Sequence, residues 1–135
     1  MEEQIMSANL FYEPINLNNF NLFGKEEGQT ETFLYAEGMK RGDYLILYIT
    51  CSGITDLKTE KPEEYQLNPV TESGFYGVAE VISDEPYILE KEDYLKGRKV
   101  VKAKITSLNK DKPFIPYVVP SGITYSNPKR ITIEF

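Results

Sequence analysis

Histidine and tryptophan are absent from this 135-residue sequence, and cysteine occurs once, as Cys51. Without histidine the chain lacks the commonest general base and the commonest metal ligand. No Cys–His or Ser–His–Asp nucleophile can be assembled, and a zinc site would have to rely on carboxylates. A lone cysteine also excludes an internal disulfide. These absences predict a protein that is not an enzyme and binds neither a metal nor another cofactor.

A long apolar segment is missing as well. No run approaches the ~20 residues that a membrane-spanning helix needs, and the acidic start, Met1-Glu-Glu-Gln4, lacks the features of a signal peptide. We therefore expect a cytoplasmic protein without a membrane partner. A length of 135 residues with 41% hydrophobic residues predicts one globular domain over residues 1–135.

Hydrophobic patterning predicts a small α+β domain. The segment 44–50 is nearly continuously apolar, which is typical of a central buried strand. Pro62 and Pro69 interrupt the polar segment 52–73, which we interpret as a long insertion loop. Further strands are predicted over 4–12, where Pro14 follows as the terminator, and over 75–82, 100–108 and 130–135; short helices are predicted over 17–23 and 31–40. The expected fold is a curved sheet or barrel of five to six strands with two or three short helices.

Two details of these strands carry further expectations. Gly77 inside the strand 75–82 predicts a bulge or a close backbone approach. Alternation in the strand 100–108 places Val101, Ala103 and Ile105 on one face. Lys102 and Lys104 then lie on the opposite face.

Charge is distributed unevenly along the chain. The net charge is −6, yet residues 96–104 contain five basic residues and no acidic one. Because nucleic-acid binders use lysine and arginine at phosphates, this stripe is a candidate phosphate-binding surface, with residues 40 and 41 as an extension. The alternative for each of these residues is an ordinary solvated position. The candidate phosphate ligands are Lys40, Arg41, Lys96, Arg98, Lys99, Lys102 and Lys104.

Three stretches, in this order, resemble the PUA-like superfamily, and in particular the EVE and YTH domains. They are Met39-Lys-Arg-Gly-Asp-Tyr-Leu-Ile-Leu-Tyr-Ile49, Gly74-Phe-Tyr-Gly-Val-Ala-Glu-Val81 and Tyr94-Leu-Lys-Gly-Arg-Lys-Val-Val-Lys102. The resemblance implies a domain that holds a flipped-out base, often N6-methyladenine or 5-methylcytosine, in an aromatic pocket. It also implies the target-recognition role that such domains have in McrB-type restriction systems. The partners would be modified DNA and, outside this chain, an AAA+ GTPase motor and a nuclease subunit.

The resemblance also implies a set of pocket residues. Asn9 would contact the base edge, with a turn or capping asparagine as the alternative. Phe23, before Gly24, would form one aromatic wall, although the family residue is tryptophan and a core phenylalanine is the alternative. Tyr94 would form the second wall, with Tyr87 and Leu89 as further candidates and an exposed loop tyrosine as the alternative. Ser52-Gly53 follows the central strand, where related domains have a similar pair near the pocket.

Two other functions remain open at this point. One is an RNA-binding domain of the PUA or ASCH sort, for which the 2′-hydroxyl would contribute to recognition. The other is a protein-interaction domain whose lysine stripe is only solubilising. No Gly-x-x-x-x-Gly-Lys-Ser/Thr phosphate loop occurs in the 135 residues, so a motor would have to reside elsewhere. We expect either an excised domain or a free-standing EVE-like protein.

Overall fold

The computed structural model describes residues 9–113 and the backbone of 115–116 and 129–131. Within this part of the chain the strands are β1 (Leu10–Ile15), β2 (Thr30–Leu34), β3 (Tyr44–Ile49), β4 (Gly74–Val81), β5 (Tyr87–Ile88), β6 (Lys99–Leu108), β7 (Ile115–Pro116) and β8 (Lys129–Ile131). The helices are α1 (Cys51–Glu60) and α2 (Pro62–Leu67), and a single 3-10 turn covers Leu22–Gly24.

The strands form one sheet that curls into a half-barrel. Its order is β2-β6-β4-β3-β1-β8, with β5 beside β6 and β7 beside β4. β1 and β3 are parallel, whereas the other pairs are antiparallel. Register shifts at Leu47/Tyr48 and Val78/Ala79 introduce the bulges that bend a sheet. The predicted small α+β domain with a curved sheet is confirmed.

Side-chain alternation divides the sheet into an inner and an outer face. On β6, Val101, Ala103 and Ile105 are buried and Lys102 and Lys104 are exposed, as predicted. The inner face carries the main core, to which β1, β3 and β4 contribute Phe11, Ile15, Leu45, Leu47, Ile49, Ala79 and Val81. The outer face carries a separate cluster of Tyr12, Ile46, Tyr48 and Phe75.

The predicted helix over 31–40 is wrong, because residues 30–34 form β2. Thr30, Thr32 and Phe33 favour a strand, and β2 pairs with β6 so that Phe33 lies opposite Val101 in the core. Phe33, Leu34 and Met39 suggest helical spacing, but tertiary pairing overrides that weak pattern. β2 is an edge strand of the described sheet.

The predicted insertion loop over 52–73 is also wrong, since it contains α1 and α2. Thr50 caps α1, and its Oγ1 accepts a hydrogen bond of 2.9 Å from the Gly53 N–H. Pro62 occupies the first turn of α2, where its missing N–H needs no partner. A proline that begins a helix was therefore misread as one that interrupts a loop.

Two boundaries near the start of the chain differ from the prediction. β1 continues through Pro14, and the part of the predicted strand before residue 9 lies outside the described residues. The Ile15 carbonyl accepts a hydrogen bond from the Thr50 N–H, so the main-chain groups of the odd-numbered β1 residues point toward β3. The nitrogen of Pro14, which carries no hydrogen, points toward the opposite edge and costs no bond to β3. In place of the predicted helix over 17–23, the structure has turns and the 3-10 turn at Leu22–Gly24.

Candidate functional site

A short loop between β5 and β6 presents an aromatic side chain beside the end of β1. The loop is closed by hydrogen bonds from the Leu89 N–H to the Arg98 carbonyl (3.1 Å) and from the Gly97 N–H to the Leu89 carbonyl (2.8 Å). Gly97 has a φ of 84°, a conformation that glycine adopts without strain. Leu95 is buried against Leu89 and Val100, whereas its neighbour Tyr94 is 48% exposed. The buried leucine anchors the loop, and the tyrosine ring projects from it.

Tyr94 stands at the junction of two clefts. The larger, which we call the Tyr94 cleft, has a volume of about 320 Å³. The adjoining cleft measures about 220 Å³, and Asn19 and Tyr94 line both. The Tyr94 cleft is formed by the end of β1, the end of β2, the start of α1 and the loop, through residues that include Glu13, Asn16, Leu34, Ser52, Tyr94 and Arg98.

Glu13 is the most unusual member of the Tyr94 cleft. It alternates with Phe11 and Ile15 on the core side of β1, and it is only 4% exposed. Its carboxyl accepts a hydrogen bond from the main-chain N–H of Leu34. Its Oε1 has no hydrogen-bond partner among the residues that the structure describes. Buried polar atoms are usually hydrogen-bonded, so a buried oxygen without a partner in a residue that lines a cleft marks a candidate binding site.

Electrostatics favour neutral forms of the two ionisable groups that meet here. Burial raises the pKa of the Glu13 carboxyl well above its ordinary value, and the hydrogen bond from Leu34 offsets this only in part. Desolvation also raises the pKa of the Tyr94 hydroxyl, and Glu13, Asp93 and Glu31 add to the effect at the high pH where all three are ionised. Tyr94 therefore retains its hydroxyl proton at neutral pH and remains a hydrogen-bond donor.

The free edge of β2 explains why a carboxyl is useful at this position. The Tyr35 N–H donates a hydrogen bond to the Lys99 carbonyl (3.0 Å), so the main-chain groups of the odd-numbered β2 residues point toward β6. The main-chain N–H groups of the even-numbered residues point away from β6, and the N–H of Leu34 donates a hydrogen bond to the Glu13 carboxyl. The carboxyl thus bridges the seam of the half-barrel between β1 and β2 at the base of the cleft.

The structure brings together only part of the predicted pocket. Tyr94 lines both clefts, and Leu89 lines the adjoining one. Tyr87 packs against the cluster formed by Leu89, Leu95 and Val100, but the lining of neither cleft includes it.

Two predicted pocket residues lie elsewhere. Asn9 is about 13 Å from Glu13, because four residues of strand separate them at ~3.3 Å each. Its main-chain N–H donates to Asp43 Oδ1 over 3.0 Å. Phe23 is buried and packs edge-to-face on Tyr76, with ring centroids 5.1 Å apart. Phe23 thus matches its structural alternative, a core phenylalanine, whereas Asn9 precedes β1 and pairs with Asp43.

The predicted phosphate ligands divide into three groups. Arg98 lines the Tyr94 cleft. Lys99, Lys102 and Lys104 lie along β6, with the Lys99 ammonium 5.0 Å from the centre of the Tyr35 ring. The remaining residues form ion pairs: Lys40 with Asp43 (3.2 Å), Arg41 with Asp84 (2.9 Å) and Lys96 with Glu92 (2.6 Å).

The sequence analysis missed several residues of the site, above all Glu13. Its signal was available, because the alternation of Leu10-Phe-Tyr-Glu-Pro-Ile15 places one acid on the same face as Phe11 and Ile15. Phe20, rather than Phe23, is the phenylalanine that lines the adjoining cleft. Asn16 and Asn19 lie in turns without a strong pattern, and only contacts distant in sequence place them there. Ser52, expected near the pocket, does line the Tyr94 cleft.

Among the described residues, no group of three or more carboxylate or thiol side chains is arranged to hold a metal ion. Cys51 is exposed, and its thiol donates to Ser73 Oγ over 3.2 Å. None of the described helices has the length and apolarity required to cross a membrane.

Comparison with known proteins adds little to this geometry. No protein-family model matches the chain, and no curated protein matches it. Among solved structures, the chain is similar to a hypothetical protein from Leishmania major, with 15% sequence identity and a TM-score of 0.49. The alignment covers 81% of this chain and 71% of the Leishmania chain.

Proposed function

We propose that this chain is a non-catalytic PUA-like domain of the EVE/YTH kind. It holds a single nucleic acid base, turned out of its helix, in the Tyr94 cleft. The base is methylated, as N6-methyladenine or 5-methylcytosine, and belongs to DNA. The domain serves target recognition in a McrB-type restriction system, together with a motor and a nuclease on other chains.

The observation that carries this proposal is the pairing of an accessible aromatic ring with a buried, partly unpaired carboxyl. Tyr94 offers a face on which a base can stack, and such stacking is worth ~1–3 kcal/mol per base. Glu13, a buried residue in the lining of the same cleft, offers hydrogen bonding to a base edge. Together they provide the flat apolar contact and the polar contact that a flipped base requires.

The size of the cleft also suits a small ligand. Sites for small molecules usually measure ~300–1,000 Å³, and the Tyr94 cleft, at about 320 Å³, lies at the lower limit. The adjoining cleft begins at the same tyrosine and contains Lys25 and Lys91. A base would occupy the larger cleft, and its sugar and phosphate would extend toward Lys91, since Lys25 already pairs with Glu31 over 3.4 Å.

The basic stripe lies on a suitable face for a nucleic acid backbone. Val100 shares the outer face of β6 with Lys102 and Lys104, and the Tyr94 loop covers it through Leu95. Along β6, Lys102 and Lys104 therefore follow directly after the position that the Tyr94 loop covers. Arg98 also lines the cleft, so in the proposed complex it would lie beside the base, and Lys102 and Lys104 would follow along the strand.

Fluorescence anisotropy with short duplexes tests the proposal. The duplexes carry N6-methyladenine, 5-methylcytosine or no modification, and an RNA version is included, each at two salt concentrations. We expect tighter binding of one modified DNA, with an affinity that falls as salt rises. Replacing Tyr94 by alanine should weaken binding ~5- to 100-fold, which corresponds to the loss of one stacked base.

Ile88→Ala is the matched control for Tyr94→Ala. Ile88 is 55% exposed, lies on neighbouring β5 and lines neither cleft. Its replacement should leave the affinity unchanged. Equal loss in both variants, or absence of binding at low salt, would refute the proposal. Preference for the RNA probe would instead identify an RNA-binding domain.

A further inference from the structure

The carboxyl of Glu13 is placed to do more than close the seam of the half-barrel. One of its interactions, with the Leu34 N–H, belongs to the fold. Its Oε1 lacks a hydrogen-bond partner among the described residues, although the side chain is only 4% exposed. A buried oxygen without a partner normally destabilises a protein, so its presence in a native structure calls for an explanation, and a ligand that supplies the missing contact is one.

We infer that Glu13 reads the edge of the bound base as a neutral carboxylic acid, and that it serves bases with an amino group beside an unprotonated ring nitrogen. Adenine, N6-methyladenine, cytosine and 5-methylcytosine belong to this class. The inference rests on the proposed base-binding function and adds to it a recognition residue and a chemical class of base.

Hydrogen-bond complementarity sets this class. A carboxylic acid donates through its O–H and accepts through its C=O, whereas an ionised carboxylate only accepts. The ring nitrogen of an adenine or cytosine edge needs a donor, and the adjacent amino group needs an acceptor. The neutral acid satisfies both. Guanine presents two adjacent N–H donors and is matched by an ionised carboxylate. Thymine presents a donor beside an acceptor, so Glu13 alone does not distinguish it from adenine and cytosine.

The surroundings of Glu13 allow its protonation state to be tested by pH. The ionisable groups around it are Tyr94 and Arg98 in the same cleft and the charged residues of the adjoining one, Lys25, Glu31, Lys91 and Asp93. Asp56 accepts a hydrogen bond of 3.0 Å from the Asn16 side chain. No imidazole titrates anywhere in the chain, because it contains no histidine. Between about pH 5.5 and pH 8, a change in affinity can therefore be assigned more directly than in most proteins.

The experiment measures binding of single-stranded oligonucleotides that differ at one central position. The position carries N6-methyladenine, cytosine, guanine or an abasic site, and each probe is measured at about pH 5.5 and about pH 8. Single strands remove the energy of base flipping from the comparison. The proteins are the wild type, Glu13→Gln, Glu13→Leu, Tyr94→Ala and the exposed control Glu85→Gln.

For the wild type, we expect the affinity for N6-methyladenine and cytosine to fall by up to roughly tenfold as pH rises through the raised pKa of Glu13 and the donor is lost. Affinity for guanine should not fall. Glu13→Gln keeps a donor and an acceptor, so its affinity should be independent of pH. Glu13→Leu should bind about tenfold more weakly than the wild type at the lower pH. Glu85→Gln should behave as the wild type.

Two patterns of failure are distinguishable. If Tyr94→Ala weakens binding and the abasic probe binds poorly, but Glu13→Leu binds as well as the wild type, the base cleft stands and the role of Glu13 is refuted. A wild-type pH dependence that Glu13→Gln retains also refutes that role. If the abasic probe binds as tightly as the others and Tyr94→Ala has no effect, the proposed function itself fails.

Discussion

Replacing Glu13 by glutamine should stabilise the protein at neutral and basic pH. Glutamine has nearly the same shape and can still accept the hydrogen bond from Leu34, but it has no charge to desolvate. Glu13 is 4% exposed and leaves one oxygen unpaired among the described residues. Neutral replacement of buried charged groups is often stabilising, and we expect ~1–2 kcal/mol. The melting temperature should rise by about 4 °C per kcal/mol in a domain of this size.

The pH dependence of this gain has a definite sign. Burial raises the pKa of the Glu13 carboxyl in the folded state, so the native protein binds more protons than the unfolded chain between the two pKa values. Stability from this group is therefore greatest below the unfolded pKa of about 4.3 and is lost as pH rises through the folded pKa. Thermal melts of both proteins should differ most at about pH 8 and converge near about pH 4.

A destabilising Glu13→Gln substitution at about pH 8 would refute this reasoning, since it would show that the ionised carboxylate has stabilising contacts. A difference in melting temperature that does not change with pH would also refute it. Glu85→Gln, at an exposed position, controls for the general loss of one negative charge. If the substitution stabilises the fold while it removes the pH response of binding, Glu13 has a function that opposes stability.

Two further substitutions test the fold around the site. Asp43 is fully buried. Burial raises the pKa of its carboxyl, but hydrogen bonds from Asn9 and Lys40 and the charge of Lys40 lower that pKa overall. Asp43→Asn should lose ~1–3 kcal/mol of unfolding free energy at pH 7, and this deficit should shrink as pH falls below about 4. A constant deficit in pH-dependent urea unfolding would contradict this. Gly77→Ala should lose ~1–3 kcal/mol, because its new Cβ would lie 2.9 Å from the Ser107 carbonyl oxygen; unchanged urea unfolding would contradict this.

Strong local patterns predicted the central part of the fold. The apolar segment 44–50 became β3, and the alternation from Val100 to Leu108 became β6 with the expected inner and outer faces. Gly77 lies beside a bulge of β4 and close to the backbone of β6, as predicted. In these segments the repeat of apolar residues is set by the segment itself and by the face that it buries. The sequence alone therefore predicts that they are strands.

Weak patterns failed where distant contacts decide the structure. β2 is a strand because it pairs with β6, roughly 70 residues later in the chain. The helices over 51–67 depend on the cap at Thr50 and on Pro62 at a helix start, signals that resemble loop punctuation. The Tyr94 cleft is similarly non-local, since it combines the end of β1 with a loop some 80 residues away. Tyr94 was predicted through a resemblance, but Glu13, which lines the same cleft, was not.

The most direct test of the central claim is to map where a base binds. In a nuclear magnetic resonance titration of isotopically labelled protein, a short DNA strand containing N6-methyladenine is added and amide shifts are followed. The account predicts the largest shifts at Leu34, Tyr94, Leu95 and Arg98, with smaller shifts along Lys102 and Lys104. Shifts confined to the groove beside Phe23 and Leu67, or no shifts at all, would contradict it.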